Sequence, residues 1–336
     1  MANRPLIRAL PKAELHLHLE GTVEPETLVE LSRRHDAHPF SLQQARELYE
    51  YSDFQGFLLA FKAVTARLLS AEDFELITYR VMERLHAQHV LHAEVYISVG
   101  VVHWRKHEFE PLFEGIRRGR ERGERDFGVS VFWIFDAVRH FGVEPARRVF
   151  DLALEHKQYG VIGIGIGGDE LRGPAEPFRD LYREAAERGL RLTAHAGESA
   201  GPESIWGALN IGAERIGHGL SAIRDPELVE VLSHRQIPVE VCLSSNVCTG
   251  CLPRIEDHSL RTLFDHGVLI TLNTDDPAMF HTSLIGEYEL AQDVFGFTDE
   301  HLRELARNSF EASFLPAEKK VAMLEHFDRA SATLSS

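Results

Sequence analysis

Eight short, β-rich apolar runs recur along the chain, each followed by a longer stretch with helical periodicity. They are AELHLHLE from Ala13, HAEVYISVG from His92, VSVFWIFD from Val129, VIGIGIGG from Val161, LRLTAHAGE from Leu190, ERIGHG from Glu214, IPVEVCLSSN from Ile237 and GVLITLNTDD from Gly267. This alternation is the pattern of repeated βα units and a parallel sheet. Eight units make one circuit of a (β/α)₈ TIM barrel, and such a barrel takes 336 residues without a second domain. The expectation is an α/β chain with one domain over residues 1–336. Helical stretches such as PFRDLYREAAERG and PELVEVLSHR open on Pro177 and Pro226, where the missing N–H costs nothing. Residues 22–91 predict extra helices between the first and second strands, with Phe54, Phe57 and Phe61 spaced as a packing stripe. The chain from Ser283 onward reads as closing helices.

Composition narrows the function classes. The apolar fraction of 44% and charged fraction of 26% are those of a globular chain, with no apolar run long enough to cross a bilayer. The first residues lack a signal-like apolar stretch and the only cysteines are Cys242, Cys248 and Cys251, so a cytoplasmic protein with free thiols is expected. A net charge of −16 repels a phosphate backbone. The one basic segment, RRGRERGER from Arg117 to Arg125, is interleaved with Glu and Gly and reads as a solvated helix end. A small-molecule partner is expected, with neither nucleic acid nor membrane.

In a strand, residues i and i+2 share a face, so His16 and His18 point together while Leu15, Leu17 and Leu19 point away. Later strand ends add His195 and Glu198 in HAGE, His218 in GHG, and Asp275 with Asp276 in NTDDP. All these ends converge on the C-terminal face of a barrel, where such enzymes keep their sites. Singly, each residue reads as well as a helix cap or a satisfied core polar group; seven gathered at strand ends do not. Three imidazoles and one carboxylate, His16, His18, His195 and Asp275, suit one Zn²⁺ with a position left for water, and Fe²⁺ or Mn²⁺ fits the same ligands. Hydrolysis of an aromatic C–NH₂ bond needs a nucleophile, a proton for a ring nitrogen, and a proton for departing ammonia. Metal-activated water is the nucleophile. Glu198 then holds a proton for the ring nitrogen, while His218 and Asp276 flank the water, orienting it and accepting its proton or hydrogen bond.

The ordered motifs HLHLEGT, GGDE, HAGE, RIGHG, SSN and NTDDP resemble the adenosine deaminase family of the amidohydrolase superfamily, from Leu10 to about Pro277. The resemblance implies a metal-dependent hydrolase barrel with zinc on His16, His18, His195 and Asp275, Glu198 as proton donor and His218 positioning the hydroxide. It further implies purine contacts from Gly168 and Asp276, and contacts near the sugar from His18 and Glu20. Binuclear superfamily members place a lysine after the fourth strand; here that strand ends GIGGDE, which favours one ion. Adenosine deaminases resemble HVHLDGA at the first strand, whereas Glu20 here is one methylene longer and crowds a ribose 5′-hydroxyl. Adenine deaminases carry Glu at that position, as do the 6-amino-6-deoxyfutalosine deaminases of menaquinone synthesis. SVGVVHW and LSSNVCTGC are more similar to the latter group. The expected substrate is therefore 6-amino-6-deoxyfutalosine, with adenosine close behind, and its benzoate carboxylate looks for a cation among Arg105, Lys106, Arg139 and His140. The alternatives are an adenine deaminase and a non-catalytic metal-binding barrel; Glu198, no ligand in this scheme, argues against the last.

Two patterns compete and fail. Gly163, Gly165 and Gly168 fit a dinucleotide G-x-G-x-x-G, but Asp169 and Glu170 follow at once and repel a pyrophosphate. His92, Glu94, Cys248 and Cys251 faintly match the ligands of cytidine-type zinc deaminases, yet His92 and Glu94 open a strand at the wrong end of the barrel, and the Cys pair reads as incidental.

Overall fold

The computed structural model describes residues 3–51 and 53–334, and the side chain of Phe54 lies outside the described part. Eight strands follow one another around a ring: β1 Lys12–His18, β2 Val90–Ile97, β3 Ser130–Val138, β4 Val161–Gly167, β5 Arg191–Ala196, β6 Arg215–His218, β7 Val239–Val241 and β8 Ile270–Leu272. Every neighbouring pair is parallel. The ring meets itself through residues beyond β8: Asp275 N–H donates to His16 O at 3.0 Å and His18 N–H to Asp275 O at 2.8 Å. The nearly closed barrel expected from the eight runs is what forms.

The later strands are shorter than their apolar runs. β7 and β8 hold three residues each, and LSSN, expected at a strand end, is instead the start of a helix, Leu243–Cys248. Backbone groups that leave the ladder near the C-terminal rim become loops and short helices, the parts of a barrel that carry function. Between β1 and β2 lie helices Pro25–His35, Leu42–Leu48, Phe54–Thr65 and Ala71–Ala87, so the extra helices are present. Phe57 packs against Phe61 and Phe280 with ring centroids 5.9 and 5.1 Å apart, as a core stripe should. Helices Leu284–Asp293, Asp299–Glu311 and Ala317–Thr333 close the chain.

Arg117–Arg125 forms the C-terminal half of the helix Phe109–Phe127, with Arg125 in its last turn. Its spacing serves packing: Gly115, Gly119 and Gly123 sit one turn apart against Ala71–Ala87, and a Cβ on Gly119 would lie 2.7 Å from Glu75 O and Thr78 Cβ. The arginines between them pair outward, Arg118 and Arg122 both with Glu75, at 2.8 and 2.6 Å. No helix among the described residues is long and apolar enough to cross a membrane.

Candidate active site

The rim brings together His16 and His18 from β1, His195 from β5 and Asp275 just past β8, each offering one ligand atom within 4.8 Å of the others. All four residues are buried. Asp275 and His218 both carry φ of 64°, a left-handed backbone rare outside glycine that turns each side chain inward. Space is made by glycine: a Cβ on Gly217 would stand 2.7 Å from His16 Cε1. Gly217→Ala is therefore expected to push His16 aside and cost about 1–3 kcal/mol of overpacking, with lower metal content as the readout. Full metal retention in that variant would contradict this packing.

Hydrogen bonds set the ring tautomers. His16 Nδ1–H donates to Glu240 Oε2 at 2.7 Å and His195 Nδ1–H to Ile166 O at 3.2 Å, which leaves each Nε2 bare. His16 Nε2 is buried with no hydrogen-bond partner, and His18 Nε2 faces His195 Nε2 at 3.2 Å. Asp275 Oδ1 lies 3.5 Å from His16 Nε2 and 3.3 Å from His18 Nε2. Bare nitrogens converging on one another and on a carboxylate repel unless a cation lies among them, so this donor set fits a divalent ion. Burial would lower the His16 pKa, but the charges of Asp275 and Glu240 overcome it and raise it to about 10; the pocket demands positive charge.

Further titratable groups stand beside this cluster. Glu198, its side chain 15% exposed, lies 3.7 Å from His218 Nε2. Burial and then the Asp275 charge push its carboxyl up to about 8, so it holds a proton at neutral pH. Asp276 is raised well above the carboxylate range, first by burial and then by Asp275, and its Oδ1 is buried without a partner. Gly21 abuts that carboxylate so closely that a Cβ would overlap it, which explains the glycine in HLHLEGT.

Several supporting residues carried no role in the sequence reading. Glu170 of GGDE accepts from the backbone N–H groups of Gly197, Glu198 and Ser199 at 2.7, 2.9 and 2.8 Å, and so holds the HAGE turn. Ser245 of SSN donates to Asp275 Oδ2 at 2.7 Å. Glu287 accepts from Leu243 N–H at 2.8 Å and Ser244 Oγ at 2.5 Å, fixing the start of that helix. Both motifs were visible in the sequence; Glu240 was signalled only by a charge inside an apolar run. Beneath the cluster, Arg215 spans Glu94 at 2.5 Å and Glu240 at 2.6 Å, and His92 leans on Glu94 at 3.3 Å. His92 and Glu94 are thus buried supports and no part of the rim. Glycines of β4 are floor rather than phosphate loop: a Cβ on Gly167 would meet Asp136 and His195 at 3.0 and 3.2 Å. Of the Cys pair, Cys251 Sγ lies 4.0 Å from Glu198 Oε1, while Cys248 Sγ faces Phe280 O at 3.9 Å.

Residues 11–330 match the family described as adenosine deaminase. The chain belongs to the adenosine deaminase family. Within this family it is 35% identical over 327 residues to the aminodeoxyfutalosine deaminase of Streptomyces avermitilis, covering 96% of this chain and 91% of that protein. The crystal structure of an adenine deaminase from Arthrobacter aurescens superimposes with a TM-score of 0.91 at 33% identity, over 97% of this chain and all of that one. An amidohydrolase from Burkholderia ambifaria, with bound Zn, superimposes with a TM-score of 0.88 at 27% identity, over 100% of this chain and 96% of that one. This adenosine deaminase family member is a hydrolytic C–N deaminase of adenine-type substrates, and the family's fold implies a catalytic divalent metal.

Proposed function

We propose that the chain removes the 6-amino group of 6-amino-6-deoxyfutalosine with one zinc ion held by His16, His18, His195 and Asp275. The observation that carries the chemistry is the mostly buried Glu198 carboxyl, 3.7 Å from His218 Nε2, beside a cluster of converging ligand atoms. A divalent ion bound there lowers the pKa of water and supplies a hydroxide nucleophile near neutrality. Glu198 gives its proton to the ring nitrogen as the water oxygen bonds to C6. The C6–N bond then breaks, the amino group leaving as ammonia with one proton of the water while the other reprotonates Glu198. His218 orients the nucleophile, and protonated Asp276 offers a hydrogen bond to the purine beside Gly168. The Zn-bound Burkholderia relative supports zinc over iron or manganese.

The substituent on N9 is read from Glu20 and its surroundings. Its carboxylate is drawn onto Ser98, accepting from the backbone N–H at 3.0 Å and from Oγ at 3.2 Å. Glu20 therefore presents a fixed wall where the sugar of a nucleoside ends. Arg105 lines the same cavity as Glu20 and Ser98; its Nη2 donates to Lys62 O and Thr65 Oγ1 at 2.9 and 2.8 Å, and its Nε is buried without a partner. Of the four cations considered for a benzoate carboxylate, Arg105 is the one placed beside Glu20. Arg139 is buried, donating to Gly173 O and to His195 O, the latter at 2.7 Å, with its Nη2 left without a partner. The Streptomyces avermitilis relative supports the same substrate. Adenine deamination is the second reading, favoured by the Arthrobacter neighbour.

A panel of adenosine, deoxyadenosine, adenine, AMP and 6-amino-6-deoxyfutalosine, followed by the absorbance change on loss of the amino group, separates these readings. The highest kcat/KM is expected for 6-amino-6-deoxyfutalosine; a lead of orders of magnitude for adenosine or adenine rejects it. Chelation of the metal is expected to abolish turnover, and added Zn²⁺ to restore it together with a higher Tm, because an ion that binds only the folded chain stabilises it. Full activity in metal-free protein would reject the metal site.

A further inference from the structure

We propose that Asn246 and His258 are positioning residues that hold His218 as its neutral Nε2–H tautomer, so that His218 meets the reacting groups as a hydrogen-bond donor. The inference rests on the deaminase reading of the site, but its geometry does not depend on which substrate is used.

A backbone amide starts the derivation, because its role as donor is fixed. Leu260 N–H lies 3.0 Å from His258 Nδ1, so that nitrogen is bare and accepts. The ring proton of His258 therefore sits on Nε2. Nε2 lies 3.2 Å from Asn246 Oδ1, the one side of the carboxamide able to accept an N–H. That orientation turns the amide NH₂ toward His218, where Nδ2 is 3.2 Å from Nδ1. An amide NH₂ only donates, so His218 Nδ1 accepts and its proton is on Nε2. An imidazolium at 218 is excluded by the same step, since it would set N–H against N–H. His218 Nε2 lies 3.7 Å from Glu198 Oε2 and 3.9 Å from Asp275 Oδ2, which aims the N–H into the reacting space. Asn246, His218 and His258 are 0%, 1% and 5% exposed, so bulk water does not replace any link.

The consequence is a choice between two roles. From sequence, His218 was expected to orient the nucleophile and to accept its proton or its hydrogen bond. A ring locked as Nε2–H donates, and proton acceptance then passes to a carboxylate of the site. The device begins at Leu260, on a helix that supplies no group to the rim, and the helix Leu243–Cys248 carries it inward through Asn246.

Long-range ¹H–¹⁵N correlation on zinc-loaded, ¹⁵N-histidine-labelled protein tests this directly, with His218 and His258 assigned from the spectra of His218→Asn and His258→Gln. Both rings are expected to show a protonated Nε2 and a bare Nδ1. An Nδ1–H tautomer or an imidazolium at His218 overturns the proposal, and this result needs neither turnover nor a variant of Asn246. Asn246→Asp supplies an acceptor in place of the donor and is expected to flip His218 to Nδ1–H, lowering kcat by about 10²-fold with KM moved less. His258→Gln keeps an N–H donor at that place and is expected to stay within about tenfold of wild type, while His258→Ala falls as Asn246→Asp does. An Asn246→Asp protein with unchanged kcat, or with reduced kcat and an unflipped His218, overturns the relay. If instead no member of the substrate panel is turned over, the functional reading fails while the tautomer result stands.

Discussion

Glu198→Gln is expected to bind its full complement of metal and yet lose about 10²–10⁴-fold in kcat, the range that general acid catalysis contributes. The two halves separate because Glu198 touches none of the bare ligand nitrogens; its near neighbours are His218 at 3.7 Å and Cys251 at 4.0 Å. A carboxamide preserves the shape and still offers N–H hydrogen bonds, but it has no proton to give to a ring nitrogen. Burial and the Asp275 charge, which keep the carboxyl protonated up to about pH 8, have no counterpart in the amide. Metal analysis and steady-state kinetics on one preparation decide the matter. Near-wild-type turnover would reject Glu198 as the proton donor and with it the proposed mechanism.

Arg215→Ala is expected to destabilise the barrel by about 3–5 kcal/mol, the cost of removing one partner from a buried ion network. Arg215 is 1% exposed and its guanidinium neutralises two carboxylates that are themselves fully buried, Glu94 and Glu240. It also donates to Ala312 O at 3.2 Å, while Glu94 accepts from Phe314 N–H, so the network ties the segment after the helix Asp299–Glu311 to the barrel floor. Without the guanidinium, Glu240 would take up a proton or move, and either change disturbs the bond that orients His16. The expected readouts are a lower unfolding midpoint and, in whatever folds, weaker metal retention. A loss below about 1 kcal/mol would show that the two carboxylates find other partners.

The distance between what was legible and what was not follows the range of the interaction. The eight strands were legible because a strand buried on both faces is a run of apolar residues, a property of adjacent positions. The seven rim residues were legible because each lies near the end of such a run and parallel strands send all their ends to one face. Glu240, Asn246 and His258 were not, since their roles are bonds to residues 224, 28 and 12 positions away. Arg139 looked like a free cation in sequence, yet it is buried and donates to two backbone carbonyls, of Gly173 and His195.

By itself the amino-acid sequence determined that the chain builds βα units and places four imidazoles and three carboxylates at their ends, because periodicity and order are carried by neighbouring residues. Only the tertiary structure decided which nitrogens are bare, which carboxyls are protonated and which way His218 points. Those states depend on burial and on partners brought together by barrel closure, and no local pattern in the chain encodes them.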